Sequence, residues 1–306
     1  MSPSSPSLKE PAGFEAAKRR IAGPGFIAAL DQSGGSTPKA LAAYGIQENA
    51  WGDDKEKMFE LMHQMRTRII VNSAFDKRIS GAILFERTMN SVVEGLPTAR
   101  YLWEEKNIVP FVKVDEGLAE ESEGVQLMKP MTKLDPLLAS AVQHGVFGTK
   151  MRSVINTANE KGIAAVVAQQ FEIGDKILAV GLMPILEPEV NIKSPDKAAS
   201  EAILRDELLK RLDALPKKTM VMLKLSLPEE AGFYEALIRH PNVLRVVALS
   251  GGYSCEEANR RLGKNLGMTA SFSRALVENL RADQSDAEFT KALNDCIESI
   301  YQASVT

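Results

Sequence analysis

Short β-branched runs alternate with longer amphipathic segments along the chain, and this alternation restricts the fold more than any other feature of the sequence. Eight runs have the length and composition of strands. Because strands separated by helices pair in parallel, we expect one parallel sheet covered by helices. The candidate strands are Gly25–Leu30, Gly81–Phe85, Val109–Val114, Gly145–Lys150, Leu182–Leu186, Met220–Leu225, Leu244–Leu249 and Met268–Ser271.

The segments between the strands show helical periodicity. In Asp53–Asn72, Met58, Met62 and Met65 repeat on one face, and we interpret them as core filler. The other predicted helices are Leu8–Ala22, Leu134–Gln143, Lys161–Val180, Pro195–Leu215, Glu229–Arg239, Ser254–Leu262, Ser273–Arg281 and Asp286–Ala303.

Eight strands with intervening helices predict an α/β fold, a (β/α)8 TIM barrel. We expect a single domain over residues 1–306, with an N-terminal helix and a loose leader at residues 1–7. A doubly wound open sheet is the alternative, but no Gly-x-Gly-x-x-Gly turn follows an early strand.

Charge and hydropathy exclude several classes of partner. The net charge of −3 provides no basic field for nucleic acid, so an acidic substrate must be held by local cations. No apolar run has membrane-spanning length and no secretory signal is present, so we expect a cytoplasmic protein. The two cysteines, Cys255 and Cys296, are accordingly predicted to be reduced thiols. The sequence leaves open whether the chain forms a homo-oligomer.

Charged side chains lie near the carboxyl ends of the predicted strands, where barrels build their active sites. Alternate residues of a strand face the same side, so strands three to six each place polar residues on one face. If these faces point inward, lysines and carboxylates converge at one mouth. The residues that share faces are Lys113 with Asp115, Lys150 with Arg152, Glu187 with Glu189, and Lys224 with Ser226.

Lys224 lies within the apolar strand pattern Val221–Leu225 and is the strongest candidate for a nucleophile. A buried lysine must pair with an acid or lose its proton, and a nearby cation at Lys150 would lower its pKa further. A neutral amine can attack a ketone and form an imine, which accepts electrons during carbon–carbon cleavage. The residues alone also allow a structural ion pair with Glu187.

Three carboxylates are candidates for proton transfer. Glu187 could shuttle protons beside an imine, and Glu189 could assist or could serve as an ion-pair partner. Asp31, at the end of the first strand, could accept the proton of a substrate hydroxyl or could cap the following turn.

Serine- and glycine-rich loops are candidate phosphate sites. Barrels often bind phosphate after strands seven and eight through backbone N–H groups. The cluster Ser33–Ser36 could bind a second phosphate with Lys113, so two sites beside a lysine predict a bisphosphorylated substrate. The candidates after strands seven and eight are Ser250, Gly251, Gly252, Ser271, Ser273 and Arg274.

A zinc mechanism is not expected. The sequence has three histidines: His63 falls within a predicted helix, and His144 and His240 precede strands at the opposite end of the barrel.

Seven motifs, in order from the first strand to the eighth, resemble those of the class I fructose-1,6-bisphosphate aldolases. The resemblance covers almost the whole chain. It implies reversible cleavage of fructose 1,6-bisphosphate into dihydroxyacetone phosphate and glyceraldehyde 3-phosphate, through a lysine Schiff base, without metal or another cofactor, in glycolysis and gluconeogenesis. The motifs are Ala28–Ser36, Val112–Asp115, Lys150–Arg152, Glu187–Glu189, Leu223–Lys224, Leu249–Gly252 and Ser271–Leu276.

The resemblance also implies residue roles. Lys224 would form the Schiff base, with Glu187 as the acid and base. Glu189 and Lys150 would support Glu187, and Asp31 would act at the cleaved bond. One phosphate would be held by Ser250, Gly251 and Arg274, and the other end of the substrate by Ser33, Ser36, Lys113 and Arg152.

The resemblance is to the shorter bacterial form. Met151 and Ser273 stand where animal members have tryptophan and glycine, and the sequence ends at Thr306 without their tyrosine-bearing tail. Tyr301 is not expected to replace that tyrosine. The alternatives are a transaldolase or deoxyribose-phosphate aldolase, whose substrates carry one phosphate, and a non-catalytic scaffold barrel. A scaffold is disfavoured because inward charges are costly without use.

Overall fold

The structure, a computed structural model, describes residues 13–306, and within this range eight parallel strands form a barrel. The strands follow one another in sequence order, and the Ala29 N–H donates to the Phe272 carbonyl (3.1 Å), which joins the first strand to the segment after the last. The predicted (β/α)8 barrel is confirmed. Its strands are β1 (Phe26–Leu30), β2 (Ile79–Leu84), β3 (Val109–Lys113), β4 (Gly148–Ile155), β5 (Met183–Val190), β6 (Val221–Ser226), β7 (Val243–Leu249) and β8 (Thr269–Ala270).

Helices surround the barrel. None of those in residues 13–306 is both long and apolar enough to cross a membrane. They are α1 (Phe14–Ala22), α2 (Thr37–Tyr44), α3 (Lys55–Val71), α4 (Glu86–Met89), α5 (Thr98–Glu104), α6 (Leu134–Gln143), α7 (Glu160–Ala179), α8 (Lys197–Asp213), α9 (Glu235–Ile238), α10 (Cys255–Leu262), α11 (Arg274–Val277) and α12 (Asp286–Ser304).

Two apolar layers hold the fold together, one inside the barrel and one between the barrel and its helices. In β1, Ile27 and Ala29 belong to the interior, whereas Ala28 and Leu30 pack toward the helices. Strands buried on both faces read as continuous apolar runs, as these do. The interior layer also contains Val109, Phe111, Met183, Ile185, Met222 and Val247.

Helix α1 closes the amino-terminal end of the barrel. Its Ala17 and Ile21 complete the interior apolar layer, and Arg245 of β7 donates to the carbonyls of Ile21 and Gly23. The predicted N-terminal helix is confirmed, but it begins at Phe14, after Gly13 in the left-handed conformation. The predicted leader and the predicted helical start at Leu8 lie outside the described residues.

The charged motifs extend the strands further than predicted. β4 continues to Ile155 and β5 to Val190, whereas the sequence placed their ends at Lys150 and Leu186. Polar residues are tolerated there because they pair with one another at the barrel mouth. Conversely, the predicted helix Glu229–Arg239 shrinks to α9, because Gly232 takes a positive φ of 77° and interrupts it.

Candidate active site

A buried network of charges lies directly above the apolar interior of the barrel. Lys150 Nζ lies 2.6 Å from Asp31 Oδ2 and 3.0 Å from Glu187 Oε2, and all three side chains are buried. Asp31 lies two residues after Ala29, and Glu187 two residues after Ile185, both of which belong to the interior layer. The network therefore forms the floor of the barrel mouth.

Lys224 is part of this network. Its Nζ lies 3.1 Å from Glu187 Oε1, and the residue is only 4% exposed. Glu187 thus contacts both lysines, one through each carboxylate oxygen. Lys150 is paired with two carboxylates, which offset most of its charge. Its repulsion of the Lys224 side chain is therefore weaker than that of an unpaired cation.

The pairing fixes the protonation states of the network. Burial alone would raise the pKa of Asp31, but Lys150 and Lys224 hold it well below its ordinary value. Burial would lower the pKa of Lys150, but Asp31 and Glu187 raise it well above its ordinary value. At neutral pH, Asp31 is therefore an anion and Lys150 a cation.

Two further ion pairs flank the network on the neighbouring strands. Lys113 Nζ bonds to Asp115 Oδ1 at 2.6 Å, and Arg152 Nη1 lies 2.9 Å from Glu189 Oε2. Burial raises the pKa of Glu189, and Arg152 only partly offsets this. Arg152 is therefore the ion-pair partner of Glu189 in this structure.

The Ser250–Gly252 loop follows β7 with a backbone that depends on glycine. Gly251 and Gly252 have positive φ values of 61° and 117°. A Cβ on Gly251 would lie 2.6 Å from Ile192 Cγ2, and one on Gly252 would lie 3.4 Å from Arg274 Nη2. The loop therefore packs closely against Ile192 on one side and the exposed Arg274 on the other.

The first-strand loop contacts the segment after β8. Ser33–Ser36 forms a tight turn in which the Ser36 hydroxyl donates to the Ser33 carbonyl at 2.8 Å. Gln32 Nε2 donates to Ser273 Oγ at 2.8 Å. Ser271 is buried, and its hydroxyl has no hydrogen-bond partner in residues 13–306. Asp31 does not cap this turn, because its carboxylate pairs with Lys150.

Arg66 is a site-adjacent residue that sequence reasoning missed. It lies on α3, is 2% exposed, and donates to Thr88 Oγ1 and to the Gln32 carbonyl. Burial lowers its pKa to about 10, with Asp31 partly offsetting the effect, so it is charged at neutral pH. A single arginine in a helical pattern gives no signal of burial, and only the packing of α3 against the β1 loop reveals it.

The contacts of His63, His240 and Tyr301 do not include the charged network. His63 on α3 contacts the Val92 carbonyl, and His240 pairs with Asp213 beside the start of β7. Burial lowers the pKa of Arg20, and the nearby Tyr301 partly offsets this effect. The Arg20 guanidinium donates to the carbonyls of Lys77 and Ile79 at the start of β2, so Tyr301 lies near that end of the strand. Within residues 13–306, no three His, Cys, Asp or Glu side chains are grouped as metal ligands would be.

Comparison with known proteins gives consistent matches. The family model for fructose-bisphosphate aldolase class I matches residues 14–227. A class 1 fructose-bisphosphate aldolase of Clostridium acetobutylicum is 60% identical over 283 residues, covering 92% of this chain and 96% of that one. One from Synechocystis is 59% identical over 293 residues, covering 95% and 97%.

The solved structures support the same fold. A fructose-bisphosphate aldolase from Plasmodium falciparum superposes with a TM-score of 0.74 at 21% identity, covering 98% of both chains. The length of the family match, together with near-complete coverage at about 60% identity, is decisive for the family. This chain belongs to the class I fructose-bisphosphate aldolases.

Proposed function

We propose that Lys224 is the Schiff-base lysine of this aldolase and that the network around it performs the proton transfers. As a class I fructose-bisphosphate aldolase, the chain cleaves fructose 1,6-bisphosphate reversibly to dihydroxyacetone phosphate and glyceraldehyde 3-phosphate through a lysine imine, without metal. The observation that carries the proposal is the buried contact between Lys224 Nζ and Glu187 Oε1 at 3.1 Å.

Imine formation requires an amine with an adjacent acid and base. Lys224 passes an ammonium proton to Glu187, its free amine attacks the C2 ketone, and Glu187 gives this proton to the alkoxide oxygen. The carbinolamine nitrogen then passes a second proton to Glu187, which delivers it to the hydroxyl group, and water leaves as the iminium forms. Lys150 holds the other oxygen of Glu187 and keeps the carboxylate oriented toward Lys224.

Carbon–carbon cleavage requires a base at the C4 hydroxyl. Asp31 stays ionised because Lys150 lowers its pKa, so it can accept that proton. The C3–C4 bond then breaks, its electron pair moves to the iminium nitrogen, and the aldehyde leaves. Protonation of the resulting enamine at C3 and hydrolysis of the imine release dihydroxyacetone phosphate and regenerate Lys224.

The strand order of the barrel supports a bisphosphate substrate. In a ring of eight strands, β7 lies opposite β3 and β8 lies opposite β4. The Ser250–Gly252 loop and Arg274 therefore face Lys113 and Arg152 across the mouth, with Lys224 of β6 on the ring between them. We assign one phosphate to each side, and the Ser33–Ser36 turn and Ser271 complete the rim after β1 and β8.

The balance of charge also favours an anionic substrate. Four cations and four carboxylates pair within the mouth, so the paired groups carry no net charge. Arg66 and Arg274 form no ion pair with other residues in 13–306 and add positive charge to the mouth. A cytoplasmic location and a single domain over residues 1–306 stay predictions.

Borohydride trapping tests the assignment of Lys224. Reduction in the presence of dihydroxyacetone phosphate should leave one adduct, which peptide mass analysis should place on Lys224. Adduct formation should be unaffected by a chelator, as expected for a metal-independent aldolase. An adduct on Lys150 or Lys113, or none at all, would contradict the proposed nucleophile.

Substitution of Gly251 tests the proposed phosphate loop. Gly251→Ala is expected to raise KM for fructose 1,6-bisphosphate about tenfold or more, because the new methyl group meets Ile192 and alanine is strained at positive φ. The control is Gly263→Ala at the end of α10, where φ is −60° and the Cβ would have ordinary contacts. Unchanged steady-state kinetics in Gly251→Ala would show that this loop does not bind phosphate.

Arg66 should act through the residues it positions. Arg66→Met is expected to lower kcat about tenfold, because the Asp31–Gln32 segment loses its anchor, and to cost about 1–3 kcal/mol of stability. Arg68→Met, on the same helix but bonded to the carbonyls of Ala282 and Gln284, should lose stability and keep kcat. Equal kcat in the two variants would limit Arg66 to a purely structural role.

A further inference from the structure

The two cysteines of the chain lie face to face beside the proposed phosphate loop. Cys255 and Cys296 are 41 residues apart in sequence, yet their Sγ atoms are 4.0 Å apart. Cys255 is the first residue of α10, and Cys296 lies in the middle of α12. Both are free thiols, in agreement with the sequence-based expectation.

The two thiols differ in exposure. Cys296 is buried, and its thiol donates to the Ala275 carbonyl at 3.2 Å. Cys255 is half-buried and accepts a hydrogen bond from Asn259 Nδ2 at 3.6 Å. Its position in the first turn of a helix favours the thiolate. The contact with Cys296 lowers the pKa of Cys255 further, against the effects of burial and of Glu278. Cys255 is therefore the attacking thiol and Cys296 the resolving one.

The pair connects directly to both sides of the phosphate loop. Cys255 lies three residues after Gly252, and between them Tyr253 N–H donates to the Ser250 carbonyl at 2.9 Å. Cys296 bonds to the carbonyl of Ala275, the residue that follows Arg274. The pair is therefore linked to the loop through the chain and to the neighbour of Arg274 through a hydrogen bond.

We propose that Cys255 and Cys296 form an oxidation site for hydroperoxides, and that the resulting disulfide weakens phosphate binding. This rests on the phosphate role proposed for Ser250–Gly252. The Cys255 thiolate attacks one peroxide oxygen, the O–O bond breaks, and an alcohol or water leaves after protonation. The Cys296 thiol then attacks the sulfenic sulfur, loses its proton, and displaces water as the S–S bond forms. The two sulfurs lose two electrons, which the peroxide accepts.

The geometry explains why the bond would disturb the loop. A disulfide requires a sulfur separation of about 2 Å, so the atoms must approach by roughly another 2 Å from 4.0 Å. Cys296 gives up its bond to the Ala275 carbonyl, and the start of α10 moves toward α12. Gly251 already packs tightly against Ile192, so the loop has little room to absorb this movement unchanged.

Oxidation of the full-length chain with hydrogen peroxide tests the proposal. We expect a peptide linking Cys255 to Cys296, with the loss of two hydrogen atoms, and a KM for fructose 1,6-bisphosphate about tenfold higher. Dithiothreitol should reverse both changes. Cys296→Ser should have wild-type kinetics when reduced and keep its KM after peroxide, which separates the disulfide from oxidation elsewhere.

Borohydride trapping in the same samples separates this proposal from that for Lys224. The oxidised protein should still form the Lys224 adduct at saturating dihydroxyacetone phosphate. A linked peptide with an unchanged KM would overturn the effect of the disulfide on phosphate binding. Consumption of both thiols without a linked peptide would overturn the oxidation site. Loss of the Lys224 adduct from the reduced protein would instead overturn the proposed nucleophile.

Discussion

Replacing Lys224 by methionine is expected to lower kcat by about four orders of magnitude or more, because no imine can form without the amine. Methionine has a similar length and suits a position that is only 4% exposed. Glu187 keeps its contact with Lys150 at 3.0 Å, so the variant leaves no carboxylate of the network without a cation. The fold should therefore persist while the chemistry is lost. The measurements are cleavage of fructose 1,6-bisphosphate and borohydride trapping.

A second buried lysine provides the matched control for this experiment. Lys197 on α8 is buried like Lys224, but it pairs with Glu201 and Glu229 and forms no ion pair with Asp31 or Glu187. Lys197→Met should lose stability and still form the trapped adduct on Lys224. If Lys224→Met kept activity within tenfold of the wild type, a different amine would have to carry the reaction.

The barrel was predictable from sequence because each of its strands is buried on both faces. Phe26–Leu30 is apolar throughout, and Val221–Leu225 is apolar except for Lys224. This pattern marks the position of a strand even where its end is less clear. The ends were less predictable where function overrides propensity. The local sequence Glu187, Pro188 and Glu189 suggests that β5 ends before these residues. The strand continues through them because their charges form ion pairs at the mouth.

The composition of the site was likewise more predictable than its pairing. Parity along β4, β5 and β6 is enough to bring Lys150, Glu187 and Lys224 together. This alternation does not decide which carboxylate pairs with which cation, because several pairings differ only in how far the flexible side chains extend. Arg66 and the Cys255–Cys296 pair were beyond sequence reasoning, because each depends on how a helix packs against a neighbour distant in the chain.

Replacing Lys150 by methionine is expected to cost about 3–5 kcal/mol of stability at neutral pH as well as most of the activity. Lys150 is the cation between Asp31 and Glu187, at 2.6 Å and 3.0 Å. Without it, no cation in residues 13–306 lies within ion-pair distance of the buried Asp31, and Glu187 keeps only Lys224. Removing one partner of a buried ion pair is costly because the charge that remains is uncompensated.

The pH dependence of this effect follows from the direction of the pKa shifts. The folded-state pKa of Asp31 is below its ordinary value, so its pairing stabilises the fold above about pH 3.9, and this is lost as the pH falls. The folded-state pKa of Lys150 is raised, so its contribution is complete below about pH 10.4 and is lost as the pH rises above that. Near pH 7 the wild type retains both contributions.

The Lys150→Met variant should therefore recover part of its stability in mild acid. Without the cation, burial raises the pKa of Asp31, and a proton taken up by Asp31 relieves its repulsion with Glu187. Denaturant unfolding should show a smaller difference from the wild type at pH 5 than at pH 7.5. Lys161→Met, which removes an exposed pair with Glu123, should change stability little at either pH. A difference that stays constant between these pH values would show that Lys150 stabilises the barrel by packing and not by offsetting the charge of Asp31.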